Sequence, residues 1–185
     1  MTAVLTNPPA VEPVTVEDMR AHLRLAHEAE DALLAELIAA ARSQVERETR
    51  RALIAQGWRA YFDAWPAGRI VRLPVAPVIA VAAVTVYGTD GLPADLDPVD
   101  WRLDGPAARL RVAAGAGGDA ANGIEIDFTA GYGAAPADVP APLRQAIRLL
   151  AAHWYEHREA GSDLALASVP HGLDRLLSVY RVPRL

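Results

Sequence analysis

The residues best suited to catalysis lie near the C-terminal end, where His153-Trp154-Tyr155-Glu156-His157 spells H-x-x-E-H. Two imidazoles four residues apart share a helix face, and with a neighbouring glutamate they could hold zinc and activate water. That chemistry needs a third protein ligand, and the plausible distal ones are Asp163 and Asp174. His157 also falls on the stripe of Leu143, Ile147, Leu150 and Trp154, which predicts that it packs inward as a structural residue. No metal and no cofactor are expected. A small zinc-dependent hydrolase using the His153 and His157 pair is kept as the enzymatic alternative.

The other reactive patterns have plain structural readings. Glu125 and Asp127 lie two apart on a strand and face the same way, as the wet side of a sheet whose core side is Ile124, Ile126 and Phe128. Thr129-Ala130-Gly131-Tyr132-Gly133 lacks the Gly-Lys-Ser/Thr of a phosphate cradle and reads as a strand exit needing backbone freedom. Asp95, Asp97 and Asp100 lack the glycine and final glutamate of a calcium loop. None of the four serines stands in G-x-S-x-G, and cysteine and lysine are absent. Thiolate, disulfide and Schiff-base chemistry are therefore excluded, and catalytic residues are expected to be none.

Elements that would position these groups follow from periodicity. Residues 1–14 hold Pro8, Pro9 and Pro13 and read as an extended arm. Thr15 and Asp18 resemble a capping box that opens a helix reaching about Leu25. A second helix is predicted over 28–53, with Leu34, Leu37, Ile38, Ala41 and Val45 as its buried stripe. On its solvent side, Arg42 with Glu46 and Glu46 with Arg50 are spaced as ion pairs. From Trp58 the period becomes two, and strands are predicted over 58–65, 69–73, 78–87, 101–104, 109–113 and 124–129. Gly115-Ala116-Gly117-Gly118 reads as a flexible hairpin tip. Helix returns after Val139-Pro140-Ala141-Pro142 to about Glu159, and again over 172–180.

The predicted fold class is α+β, with N- and C-terminal helices packed as a small bundle. A central antiparallel β meander or small barrel is inserted between them. The predicted divisions are an arm 1–14, a helical part 15–56, a β region 57–135, closing helices 136–181 and a tail 182–185. Arm and tail have no core to join, so both are expected to order on partners.

All 18 basic residues are arginine, the net charge is −5 and the sequence pI is about 5.5. Such a balance gives no long-range attraction to a polyanion, so a dedicated nucleic-acid binder is not expected. The longest apolar run, 75–86, is interrupted by Pro77 and is shorter than the roughly 20 residues a bilayer span needs. Residues 1–13 lack a basic segment followed by an apolar core, so a soluble protein made in the cytoplasm is expected.

The ordered set of segments resembles the phage head–tail connector (adaptor) family over nearly the whole chain. Its carriers are Val14-Thr15-Val16-Glu17-Asp18 with His22-Leu23-Arg24-Leu25, then Asp31-Ala32-Leu33-Leu34 through Ile38-Ala39-Ala40-Ala41-Arg42. Trp58, Trp65-Pro66, Leu73-Pro74, Pro77 and Tyr87 follow in the familiar order. The most specific stretch is Thr129 to Gly133 with the structural Gly131, Tyr132 and Gly133, then Val139-Pro140 and Leu143-Arg144-Gln145-Ala146-Ile147. Trp154 and Tyr155 within His153 to Glu156, Arg158-Glu159, Leu176-Leu177 and Tyr180-Arg181 complete it. Two departures stand out: Arg50 where relatives often end the second helix with glycine, and His157 where they often carry asparagine. The first implies that the helix runs further or ends without a left-handed cap.

The resemblance implies a non-enzymatic subunit of a phage, prophage or gene transfer agent particle. It implies a homo-oligomeric ring of about twelve copies, closed by head-to-tail contacts. The implied partners are the chain itself, a portal protein and a head-closure (stopper) or tail protein. Packaged DNA would pass through without specific binding, and no membrane is involved. The implied location is the bacterial cytoplasm during assembly, then the head–tail junction. For the subunit interface, the basic cluster Arg42, Arg47, Arg50 and Arg51 is expected to meet Asp90, Asp95, Asp97, Asp100 and Asp104 of the adjacent copy. A monomeric α+β binding module is the remaining alternative.

Overall fold

Thr15 and Asp18 close the expected capping box in the computed structural model, which describes residues 1–157 and 172–181. The Thr15 hydroxyl accepts from the Asp18 amide at 3.0 Å, and the Asp18 carboxylate accepts from the Thr15 amide at 3.4 Å. They start α1 (Val16–Leu23). Thr15→Ala should lower stability by about 1 kcal/mol. Chemical denaturation of the two proteins side by side checks this, and coincident curves would show that the box contributes nothing.

The described residues belong to two compact units: a helical one of Val11–Ile54 and Ala134–Leu185, and a β unit of Met1–Ala10 and Ala55–Gly133. In the helical unit, α2 (Asp31–Thr49) buries Leu34, Ile38, Ala41, Val45 and Thr49. Leu37 lies beside that stripe and is only half-buried. The helix is shorter at both ends than its periodicity predicts. Arg50 ends it in the left-handed conformation, φ 56° and ψ 35°, so the cap forms without glycine. The reason lies just beyond: Ala52, Leu53 and Ile54 are all buried, and the Leu53 amide donates to Glu46 Oε1 at 2.8 Å. Left-handed geometry costs about 1–2 kcal/mol for a residue with a Cβ. Burying Leu53 and Ile54 returns about 1.5–3 kcal/mol each, so burial wins.

α3 (Ala141–Glu156) packs against α1, α2 and α4 (Leu173–Ser178), burying Leu143, Ala146, Ile147, Leu150 and Ala151. The predicted extension to Glu159 and the tail after Arg181 lie outside the described residues.

The β unit has eight strands: β1 (Thr2–Asn7), β2 (Gln56–Phe62), β3 (Ile70–Arg72), β4 (Val78–Tyr87), β5 (Pro93–Asp95), β6 (Trp101–Asp104), β7 (Arg109–Val112) and β8 (Ile124–Ala130). They form two antiparallel sheets, one ordered β1-β2-β8-β4-β5 and one ordered β3-β7-β6. Neither a single meander nor a closed barrel is present. β8 inserts between β2 and β4, and the two outer strands of the larger sheet, β1 and β5, do not pair with each other. β8 alternates strictly, with Ile124, Ile126, Phe128 and Ala130 buried, because both its neighbours fix the register.

Two expectations about mobility are corrected. Thr2–Asn7 is not an unattached arm: it pairs with β2 in the register Thr2 with Tyr61 through Leu5 with Trp58. Backbone amides of an extended segment are satisfied by an open sheet edge even when its side chains stay exposed, as Val4 and Leu5 do here. The glycine-rich tip is also held. Arg69 donates to the Gly118 carbonyl at 3.0 Å and to the Ala116 carbonyl, while its guanidinium lies 5.1 Å from the centroid of the Trp65 ring.

Candidate functional site

Among the described residues the histidine pair has no third acidic or imidazole ligand beside it. His153 and His157 have ring centroids 4.3 Å apart, and His157 Nδ1 donates to the His153 carbonyl at 2.8 Å. His157 is exposed and does not enter the core, contrary to the stripe prediction. α3 ends at Glu156, so His157 is a cap residue (φ −105°, ψ 14°) and the helical phase that would have turned it inward stops short of it. Asp174 is exposed on α4, and Asp163 lies outside the described residues. Among the described residues no group of three or more His, Asp or Glu is placed to hold a metal ion.

Paired carboxylates on β8 are engaged by an arginine. Arg59 on β2 grips Asp127 through Nε at 2.7 Å and a terminal nitrogen at 2.8 Å, and comes within 3.6 Å of Glu125. This two-pronged contact with Asp127 raises the Arg59 pKa, and the charges of Asp127 and Glu125 add to it. Tyr87 nearby is pushed up, first by lost hydration and then by its hydrogen bond to Glu125. The two-pronged contact ties β2 to β8, so this constellation serves cohesion. The strand exit is likewise occupied: the Gly131 amide donates to the Pro77 carbonyl at 2.9 Å, and the Gly133 carbonyl accepts from Ala55 at 2.8 Å. Gly131 has φ 145°, which justifies its glycine.

The charges proposed for subunit contacts divide into committed and available groups. Arg42 is mostly buried (14% side-chain exposure) and ion-paired to Glu12 at 2.7 Å and Glu46 at 2.8 Å. Arg51 is half-buried, with Nε donating to the Tyr180 carbonyl at 2.6 Å. Arg47 and Arg50 are exposed. On the β unit, Asp90, Asp95 and Asp97 are exposed, although each accepts one local hydrogen bond, from the Leu92 amide, the Thr85 hydroxyl and the Val99 amide. Asp100 is half-buried. Asp104 pairs with Arg109 at 2.7 Å, which holds its carboxyl below the usual range.

Sequence reasoning missed both Arg59 and the arginines of the smaller sheet. Arg59 and Asp127 are 68 residues apart, and only strand register brings them together.

These features define a protein whose polar groups serve cohesion. A profile of the phage gp6-like head-tail connector proteins matches residues 13–91. The chain is 35% identical, with a TM-score of 0.82, to a chain of the virion of a native gene transfer agent particle, covering 100% of this chain and 97% of that one. It is also 35% identical (TM-score 0.81, 100% and 97% covered) to a chain from the neck of an empty gene transfer agent particle computed with C6 symmetry. A chain from the neck of a native particle computed with C12 symmetry gives 34% identity, a TM-score of 0.77 and coverages of 98% and 97%. No curated protein sequence gives a match. The chain belongs to the phage gp6-like head-tail connector family. Family and structural neighbours are structural connectors of the particle neck and not enzymes. Among the described residues no helix is long and apolar enough to cross a membrane.

Proposed function

We propose that the chain is a ring-forming adaptor between the portal and the stopper or tail protein of a gene transfer agent or phage-type particle, around the exit path of the packaged DNA. End-to-end similarity to neck chains carries this reading, because it extends over both units. Neck structures computed with C6 and C12 symmetry support a closed ring of about twelve copies. The helices of the first and last segments act as one small bundle, and the subunits assemble in the bacterial cytoplasm before joining the particle.

Neighbouring copies meet through opposite charge: Arg47 and Arg50 of one copy, with Arg51 beside them, approach the Asp90, Asp95 and Asp97 loops of the next. Each exposed pair contributes about 0–1 kcal/mol, so the charges set register and docking rate more than affinity. Arg47→Glu with Arg50→Glu should cut the yield of complete particles severely, and adding Asp95→Arg with Asp97→Arg should partly restore it. Counting tailed particles by electron microscopy checks both. A reversal without effect, or a rescue that never appears, would remove this interface while leaving the ring itself to be tested by mass measurement.

A further inference from the structure

The smaller sheet places charges together that the chain keeps far apart. Directly paired residues on neighbouring strands share a face, and β7 pairs with both β3 and β6. One row is therefore Ile70, Arg111 and Arg102, and the next is Arg72, Arg109 and Asp104. The opposite side of the sheet carries Val71 and Leu110, both fully buried. The outer face thus holds four arginines against one aspartate, a local charge of +3 on a chain whose net charge is −5. All four arginines are exposed, and Arg109 alone among them forms an ion pair among the described residues, with Asp104.

Such an arrangement is unfavourable by itself. Arg102 faces Arg111, and Arg72 faces Arg109, and like charges directly opposite on a ladder repel. A folded chain with spare aspartates has placed none besides Asp104 in this array. Strands about 4.8 Å apart and face positions about 6.8 Å apart along each strand bring these arginine positions into one close array. Ile70 is its one apolar member, and it is half-buried. A protein partner needs a cluster of apolar anchors at the centre of an interface, and this face offers only the half-buried Ile70. A polyanion of high linear charge density needs only charge, since release of condensed counterions drives its binding. A depression of about 180 Å³ lined by Ile70, Arg102, Leu103, Asp104, Arg109 and Arg111 gives room for phosphate oxygens.

We propose that the face formed by Arg72, Arg102, Arg109 and Arg111 binds the phosphate backbone of duplex DNA, weakly and without regard to sequence. The assignment rests on this face and does not require the ring. It refines the expectation from net charge: the chain as a whole does not attract DNA, but one face does. With few contacts and no base readout, the complex is short-lived and strongly salt-dependent, which suits a surface past which DNA moves.

Fluorescence anisotropy with a labelled duplex of about 25 base pairs tests it, at salt from about 20 to 200 mM. The full chain should bind at the low end, with log K falling against log salt at a slope of about −3. Arg72→Gln with Arg102→Gln and Arg111→Gln should weaken binding about tenfold or more and flatten the slope to about −1 or less. Asp104→Asn, which frees Arg109, should instead tighten binding several-fold, a gain that a folding defect cannot mimic. Arg175→Gln, on the exposed side of α4 in the helical unit, should leave binding unchanged. Overturning results are no salt-dependent binding by the full chain, equal binding by the triple variant, or weaker binding by Asp104→Asn. Equal or tighter binding of polyglutamate would overturn DNA in favour of an acidic protein surface.

Discussion

Phe128→Ala is expected to destabilise the β unit by about 3–5 kcal/mol, the largest loss of any single truncation proposed. Phe128 sits on β8, the middle strand of the larger sheet, opposite Trp58 on β2 and Val81 on β4, and is 2% exposed. Removing the ring loses its transfer free energy and leaves a cavity that paired strands on both sides cannot collapse to fill. The loss is comparable with the whole stability of a small domain, so much of the β unit should be unfolded at physiological temperature. Denaturant unfolding followed by tryptophan fluorescence reports on this unit directly, because Trp58, Trp65 and Trp101 lie in it and Trp154 alone does not. A shift below about 1.5 kcal/mol would mean that the sheet relaxes around the gap and that the strand is less central than its burial indicates.

Gly105→Ala should cost about 3 kcal/mol although it adds one methyl group. A Cβ at Gly105 would stand 2.4 Å from the Val78 carbonyl oxygen. The obstacle is backbone, and the Val78 amide donates to the Gly105 carbonyl at 3.0 Å, so the two segments cannot separate without losing that hydrogen bond. Gly115→Ala is the control: its φ is 84°, but nothing lies within 4 Å of the added atom. It should therefore cost only the conformational penalty, about 1–2 kcal/mol. Equal losses at the two sites would show that the close approach at Gly105 relaxes.

Together the two substitutions separate the kinds of order that hold the β unit. Phe128 tests apolar burial across the larger sheet, whereas Gly105 tests the junction where the turn after β6 meets the start of β4. The same junction leads into β7 and hence into the arginine-bearing face, so Gly105→Ala should also weaken the DNA binding proposed above.

Local chemistry was legible from the amino acids alone. The α1 start follows from Thr15 and Asp18, since a capping box needs only residues three apart. The cores of α2 and α3 follow from spacing along one helix face, and β8 from its alternation, because both periods are properties of a single element. The ordered set of short motifs from Thr15 to Tyr180 identified the family, and with it a structural and not a catalytic role.

Strand pairing was decided by tertiary structure. Nothing in Thr2–Asn7 names β2 as its partner, and nothing in residues 70–112 says that these short strands leave the main sheet to make their own. Register is a contest among many possible pairings, settled by which side chains can be buried together and not by local preference. The same holds for charge. Arg42 reads as a solvent-side residue on the helix, but Glu12, 30 residues earlier, folds back to hold it. Arg50 takes a glycine's conformation because the apolar residues after it must turn inward. Arg72, Arg102 and Arg111 are unremarkable in a row of letters, and become one surface only when β7 lies between β3 and β6. Sequence sets the charge and the periods, while the contacts that give a charge its partner, or leave it without one, arise between segments whose separation along the chain carries no signal of their meeting.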